Sequence, residues 1–168
     1  NSTTFKGGFR NWTEYPGAPT DSGYVNVVSS GSAFVAIKAD GSLSAWGNPS
    51  RGGKYAPAGS GWVKVFSSTG GFVALKADGT LKRWPSSVQA PYSWDGPYIN
   101  VASTKYTKFA ALKADGSLTA WGISSCGGSG APSGTGYEKV FSTAVGIDPK
   151  DKAAFVALKE DGTVVTWG

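Results

Sequence analysis

The stretch KADGSLSAWG at 38–47 returns as KADGTLKRW at 76–84, KADGSLTAWG at 113–122 and KEDGTVVTWG at 159–168. Its aspartate stands at positions 40, 78, 115 and 161, so the steps are 38, 37 and then 46 residues. An apolar run precedes each copy: FVAI at 34–37, FVAL at 72–75, FAAL at 109–112 and FVAL at 155–158. Before that comes an aromatic-led segment, YVNVVSS from Tyr24, WVKVFSS from Trp62, YINVAST from Tyr98 and YEKVFST from Tyr137. An Ala-Pro pair stands ahead of each, at 18–19, 56–57, 90–91 and 131–132. Four features in fixed order, four times over, define a tandem repeat.

Each unit reads as three strands. In the first, Val27, Val65, Val101 and Val140 take the inward place and alternate with Asn26, Lys64, Asn100 and Lys139, the period of a half-buried strand. The second strand is apolar at four consecutive positions, as a strand covered on both faces should be. It is joined to the third through Asp40-Gly41, Asp78-Gly79, Asp115-Gly116 and Asp161-Gly162. Asp-Gly is the pair that a two-residue type I′ hairpin selects, both residues taking positive φ. These aspartates are therefore assigned to turns and not to catalysis. The third strand ends in Trp46, Trp84, Trp121 and Trp167, read as packing wedges between neighbouring units. The expected fold is all-β: four tandem three-stranded repeats of about 38 residues, a length within the usual range for repeat units. The repeats span 18–47, 56–84, 90–122 and 131–168, and form one domain over 1–168 with a partial unit at 1–17.

Composition agrees. The 168 residues include 25 Gly, nine Pro, seven Trp, seven Tyr and eight Phe, with only 16% charged. There is no His and no Met, and one Cys. Imidazole-dependent hydrolysis and His-ligated zinc are excluded, as is a disulfide within the chain. Four of the eleven acids are the turn aspartates, which leaves Glu14, Asp21, Asp95, Glu138, Asp148, Asp151 and Glu160. No two of them fall in a recognisable catalytic frame. Asp148 and Asp151 share a loop, but the flanking lysines oppose calcium. The chain is expected to be no enzyme and to hold neither metal nor cofactor. A net charge of +5 is spread without clustering, unlike the footprint of a nucleic-acid binder. No apolar stretch is long enough to span a membrane.

Recognition is expected in the Gly/Ser/Pro-rich loops between units, 47–61, 85–97 and 122–136. Tyr55, Tyr92 and Trp94 lie there out of phase with the repeat aromatics, accompanied by Arg51 and Lys54. The fourth unit carries extra residues at 144–152, either a distinguishing surface feature or a tolerated insertion. Cys126 reads as an incidental thiol or as a link between chains. Residues 5–12 match the last strand of a further unit. Asn1 and Asn11 begin N-glycosylation triplets, and a start lacking Met suggests a processed precursor; both favour an extracellular setting.

The Leu-Lys-Ala-Asp-Gly turn of 112–116 and the Ala-Trp-Gly of 120–122 resemble the RCC1-like, BNR-type repeat of β-propellers. The resemblance covers most of 18–168. In style it lies nearest the short-repeat secreted bacterial members, which include a β-lactamase-inhibitory protein. It implies propeller-like blades, arranged as a small propeller, a partial ring or an open array, and a habit of binding proteins through loops. The family's His before the apolar strand is absent, so no functional residue transfers, and four repeats replace the family's seven.

Two functions compete on these grounds. One is a non-catalytic extracellular module that binds a protein or glycan through its inter-repeat loops. The other is a structural subunit that self-associates head to tail into a filament, coat or matrix, because nothing in the sequence reads as a cap for either terminal repeat.

Overall fold

The computed structural model describes residues 17–85, 95–104, 108–122, 130–143 and 154–168. Each repeat forms one antiparallel sheet with its strands in chain order. The first blade comprises β1 (Tyr24–Ser29), β2 (Ala33–Lys38) and β3 (Leu43–Gly47); the second β4 (Trp62–Ser68), β5 (Gly71–Lys76) and β6 (Leu81–Trp84). The third holds β7 (Tyr98–Ser103), β8 (Phe109–Lys113) and β9 (Leu118–Trp121); the fourth β10 (Tyr137–Ser142), β11 (Phe155–Lys159) and β12 (Val164–Trp167). One turn of 3-10 helix, Pro49–Arg51, is the only helical element among the described residues. The fold is all-β and propeller-like, as the repeat predicts.

The continuous apolar run of each middle strand is explained by packing. In β5, Phe72 and Ala74 join a core shared with the first blade, beside Val35 and Ile37. The intervening Val73 and Leu75 join a core shared with the third, beside Tyr98, Val101 and Phe109. Side chains of a strand alternate between faces, so a blade packed on both sides needs apolar residues at every position. A third core joins blades three and four through Ala102, Leu112, Tyr137, Val140 and Phe155. Each Trp stacks on the Phe of its own blade, with ring centroids 5.4 to 5.5 Å apart in all four.

A β-bulge interrupts every first strand, between Tyr24 and Asn26, Trp62 and Lys64, Tyr98 and Asn100, and Tyr137 and Lys139. The bulge adds one residue on one strand. That extra residue puts the aromatic and the valine three positions later on one face, and in the second, third and fourth blades both enter the junction with the preceding blade.

The valines correct one expectation. Val65, Val101 and Val140 are buried, at 8%, 4% and 3% exposure, but Val27 is 55% exposed. This position faces the preceding blade, and no described residue covers that face of the first blade. Phe141 and Val164 mirror it on the far side of the fourth blade, at 53% and 58% exposure.

The Asp-Gly turns also differ from the expected type I′. The Gly41 N–H bonds the Lys38 carbonyl at 2.9 Å, and the Lys38 N–H bonds the Ser42 carbonyl at 2.9 Å. Ala39 and Asp40 therefore form the centre of a type I turn. Only the glycine is left-handed, with φ of 81, 85, 78 and 84° at Gly41, Gly79, Gly116 and Gly162. This is a three-residue loop closed by a glycine bulge. Each aspartate instead accepts a backbone N–H two residues on, at 2.8 to 2.9 Å, from Ser42, Thr80, Ser117 and Thr163.

Those hydrogen bonds hold the turn carboxyls below the ordinary aspartate value of 3.8, the Ser117 hydroxyl being the larger cause at Asp115. A carboxyl whose folded pKa is depressed stabilises the fold above its unfolded pKa and loses that contribution as pH falls through the folded value. Urea midpoints should therefore stay level from about pH 7 to about pH 5 and fall once pH drops below about 4. Asparagine at all four positions should flatten that acid limb.

Candidate functional site

The loop from β3 to β4 brings together three of the five residues expected to bind. Asn48 caps the 3-10 turn, its Oδ1 accepting the Ser50 N–H at 2.9 Å. Gly52 then turns left-handed at φ 93°, and its N–H bonds the Pro49 carbonyl. The loop is fixed to the second blade, since the Trp84 indole Nε1 donates to the Gly52 carbonyl at 2.9 Å. A Cβ on Gly52 would meet the Phe72 ring at 2.6 Å, so only glycine lets the loop lie this close.

From that anchor the chain presents Lys54 and Tyr55. Tyr55 is 75% exposed and holds φ 62°, a conformation uncommon outside glycine. Lys54 Nζ lies over its ring, 5.1 Å from the centroid. Arg51 turns the other way, its Nη1 donating to the Thr69 carbonyl at the tip of the β4–β5 hairpin, 3.3 Å away. The loop thus offers one projecting aromatic, one ammonium beside it and a guanidinium spanning two blades. Tyr92, Trp94, Asn1, Asn11, Cys126 and the insertion at 144–152 lie outside the described residues.

Two of the remaining acids have structural duties. Asp95 accepts the Tyr98 hydroxyl at 2.6 Å and the Lys113 ammonium at 2.5 Å. Asp21 clasps Tyr24 and Lys38 in the same way. The lysine and tyrosine bonds hold both carboxyls below the usual aspartate range, and burial followed by the Asp95 bond pushes the Tyr98 hydroxyl up. Among the described residues, no three acidic or thiol groups gather into a metal site. No helix there is long and apolar enough to cross a membrane.

A second feature escaped the sequence reading. Every first strand ends in two hydroxyl residues, Ser29-Ser30, Ser67-Ser68, Ser103-Thr104 and Ser142-Thr143. They converge on an open cavity of about 400 Å³. Most of these hydroxyls are spent internally: Ser30, Ser68 and Thr143 close their own hairpins. Ser103 Oγ donates to the Ser67 carbonyl, and Ser142 Oγ to the Ser103 carbonyl, both at 2.6 Å. The hydroxyl pair recurring in phase with the repeat was the available signal, and it serves both to close hairpins and to tie blade to blade. Thr104 Oγ1 and the buried Lys108 Nζ find no hydrogen-bond partner among the described residues.

No protein-family model matches the chain, and no curated protein matches its sequence. Solved structures do. Human WBSCR16 superposes with a TM-score of 0.59 at 16% identity, over 90% of this chain and 49% of that one. The entire ectodomain of the Physcomitrella patens receptor kinase CR4 gives 0.63 at 18% identity, over 90% and 42%. The likeness is one of fold, of propeller type, and this chain spans about half the length of either structure.

Proposed function

We propose that this chain is a non-catalytic RCC1-like interaction module that binds a protein or glycan partner through the β3–β4 loop, in an extracellular setting. The carrying observation is Tyr55, 75% exposed and held left-handed on a loop that Trp84 locks in place. A rigid projecting aromatic beside a cation loses little conformational freedom on binding. Kinship of fold with a receptor ectodomain supports both the binding role and the setting. Protein and glycan arrays probed with the whole chain should yield a ligand. Tyr55→Ala should weaken that ligand about 30-fold or more, as central interface aromatics do, with the β-sheet circular dichroism unchanged. Equal binding by the variant would remove the loop from the reading.

A specific observation also favours self-association. Val27 on one end face, and Phe141 with Val164 on the other, are more than half exposed. At the inner junctions the residues equivalent to Val27 are covered.

A further inference from the structure

The two uncovered faces carry the residues of one of the molecule's own internal junctions, and we propose that a second copy of this chain docks there, head to tail. The inference rests on the self-association reading and names its surface.

The blades alternate. The first and third carry the Asp-Tyr-Lys clasp, Asp21-Tyr24-Lys38 and Asp95-Tyr98-Lys113. In the second and fourth, glycine (Gly59, Gly134) stands at the aspartate's position. There no carboxylate stands beside the lysine at that position, and the lysine lies over the aromatic ring, Lys76 on Trp62 at 5.0 Å and Lys159 on Tyr137 at 5.1 Å, as Lys38 also does on Tyr24 at 5.1 Å. The true period is thus a pair of blades, 74 residues from Tyr24 to Tyr98 and 75 from Trp62 to Tyr137. A copy following the fourth blade would begin with a first blade, and the only internal junction of that order is second to third.

That junction is built from Phe66, Val73, Leu75 and Leu81 on the second blade, against Tyr98, Val101, Phe109 and Trp121 on the third. The corresponding residues of the fourth blade are Phe141, Val156, Leu158 and Val164, identical at three of the four positions. Those of the first blade are Tyr24, Val27, Phe34 and Trp46, identical at all four. The polar ties recur as well. Inside the chain the Tyr98 N–H bonds the Gly79 carbonyl at 3.0 Å, and Ser103 Oγ bonds the Ser67 carbonyl. Between copies, the Tyr24 N–H and Ser29 Oγ stand where those donors do, and the Gly162 and Ser142 carbonyls where the acceptors do. Space is available for the incoming strand. A Cβ on Gly79 would meet Pro97 at 2.5 Å, whereas one on Gly162 would meet nothing. Two copies supply eight blades, within the roughly four to eight of known propellers, and two such junctions would close a ring.

Sedimentation and light scattering over a concentration series test this with the whole chain and with Val27→Glu and Phe141→Glu, both exposed in the isolated chain and so compatible with folding. The wild type should reach at least twice the chain mass. Each variant should remain monomeric, with association weakened at least about 100-fold, as expected for a charge buried in an apolar junction. Mixed together, they should form a one-to-one complex, through the intact tail of Val27→Glu and the intact head of Phe141→Glu. A wild type that stays monomeric at every concentration would overturn both the inference and the self-association reading. Oligomers indifferent to both substitutions, or variants that fail to complement, would overturn the head-to-tail junction and leave self-association standing.

Discussion

Trp84→Ala should lower folding stability by about 3–5 kcal/mol, the usual cost of truncating a buried aromatic. Trp46→Ala, the same change at the equivalent position, should cost only about 1 kcal/mol, because less of the side chain leaves a packed environment. Trp84 is 4% exposed and packs with Val35, Ile37 and Phe72 between the first two blades. It also donates to the Gly52 carbonyl, so its removal releases the loop that bears Tyr55. Trp46 makes the same stack on its own blade, on Phe34 at 5.4 Å, but faces the uncovered side of the first blade. Against a total stability of about 5–15 kcal/mol, the first loss threatens the fold and the second does not. Urea unfolding of the two variants reads the difference directly. Equal losses would mean that the stack within a blade, and not the junction between blades, supplies the stability.

The repeat made the strands legible because each carries its own periodic instruction. Four consecutive apolar residues before a Lys-x-Asp-Gly turn leave no other arrangement than a middle strand covered on both sides. Other features lay below what residue type reveals. Val27 follows an asparagine and stands three residues after a tyrosine, as Val101 does, and differs in that no described blade lies in front of it. The turn type was misread because Asp-Gly fits two hairpin geometries, and the choice depends on whether aspartate or only glycine takes positive φ. The bulge in each first strand is invisible in an apolar pattern, since it shifts the register by one residue without changing composition. Of the candidate site, Tyr55 and Lys54 could be named from their being out of phase with the repeat. That Arg51 bridges to the next hairpin, and that Trp84 holds the loop, depend on contacts 18 and 32 residues apart. The alternation of blades was present in the sequence, but a search at one-blade spacing averages it away.

The four turn glycines turn that spatial argument into a graded measurement. Alanine at any of them adopts the left-handed region at a cost of about 1–2 kcal/mol. At Gly79 the added methyl also meets Pro97 Cβ at 2.5 Å and the Tyr98 nitrogen at 2.7 Å, in the place where the Tyr98 N–H bonds the Gly79 carbonyl. Forcing the junction apart adds about 1–3 kcal/mol, so Gly79→Ala should lose roughly 2–5 kcal/mol from the sum of the two terms. Gly41→Ala should match it, because its methyl would meet the Trp62 nitrogen at 2.5 Å. Gly116→Ala should fall between, its nearest contact being 2.9 Å. Gly162→Ala has only the backbone strain to bear, since nothing lies within 4 Å. Denaturant unfolding in dilute solution should give that order, and a Gly162→Ala loss as large as that of Gly79→Ala would show that turn strain alone decides. At concentrations where copies dock, the order should change. The Gly162 turn would then receive the Tyr24 strand of a second copy, and the variant that is mildest in the isolated chain should weaken assembly as strongly as Gly79→Ala weakens the fold.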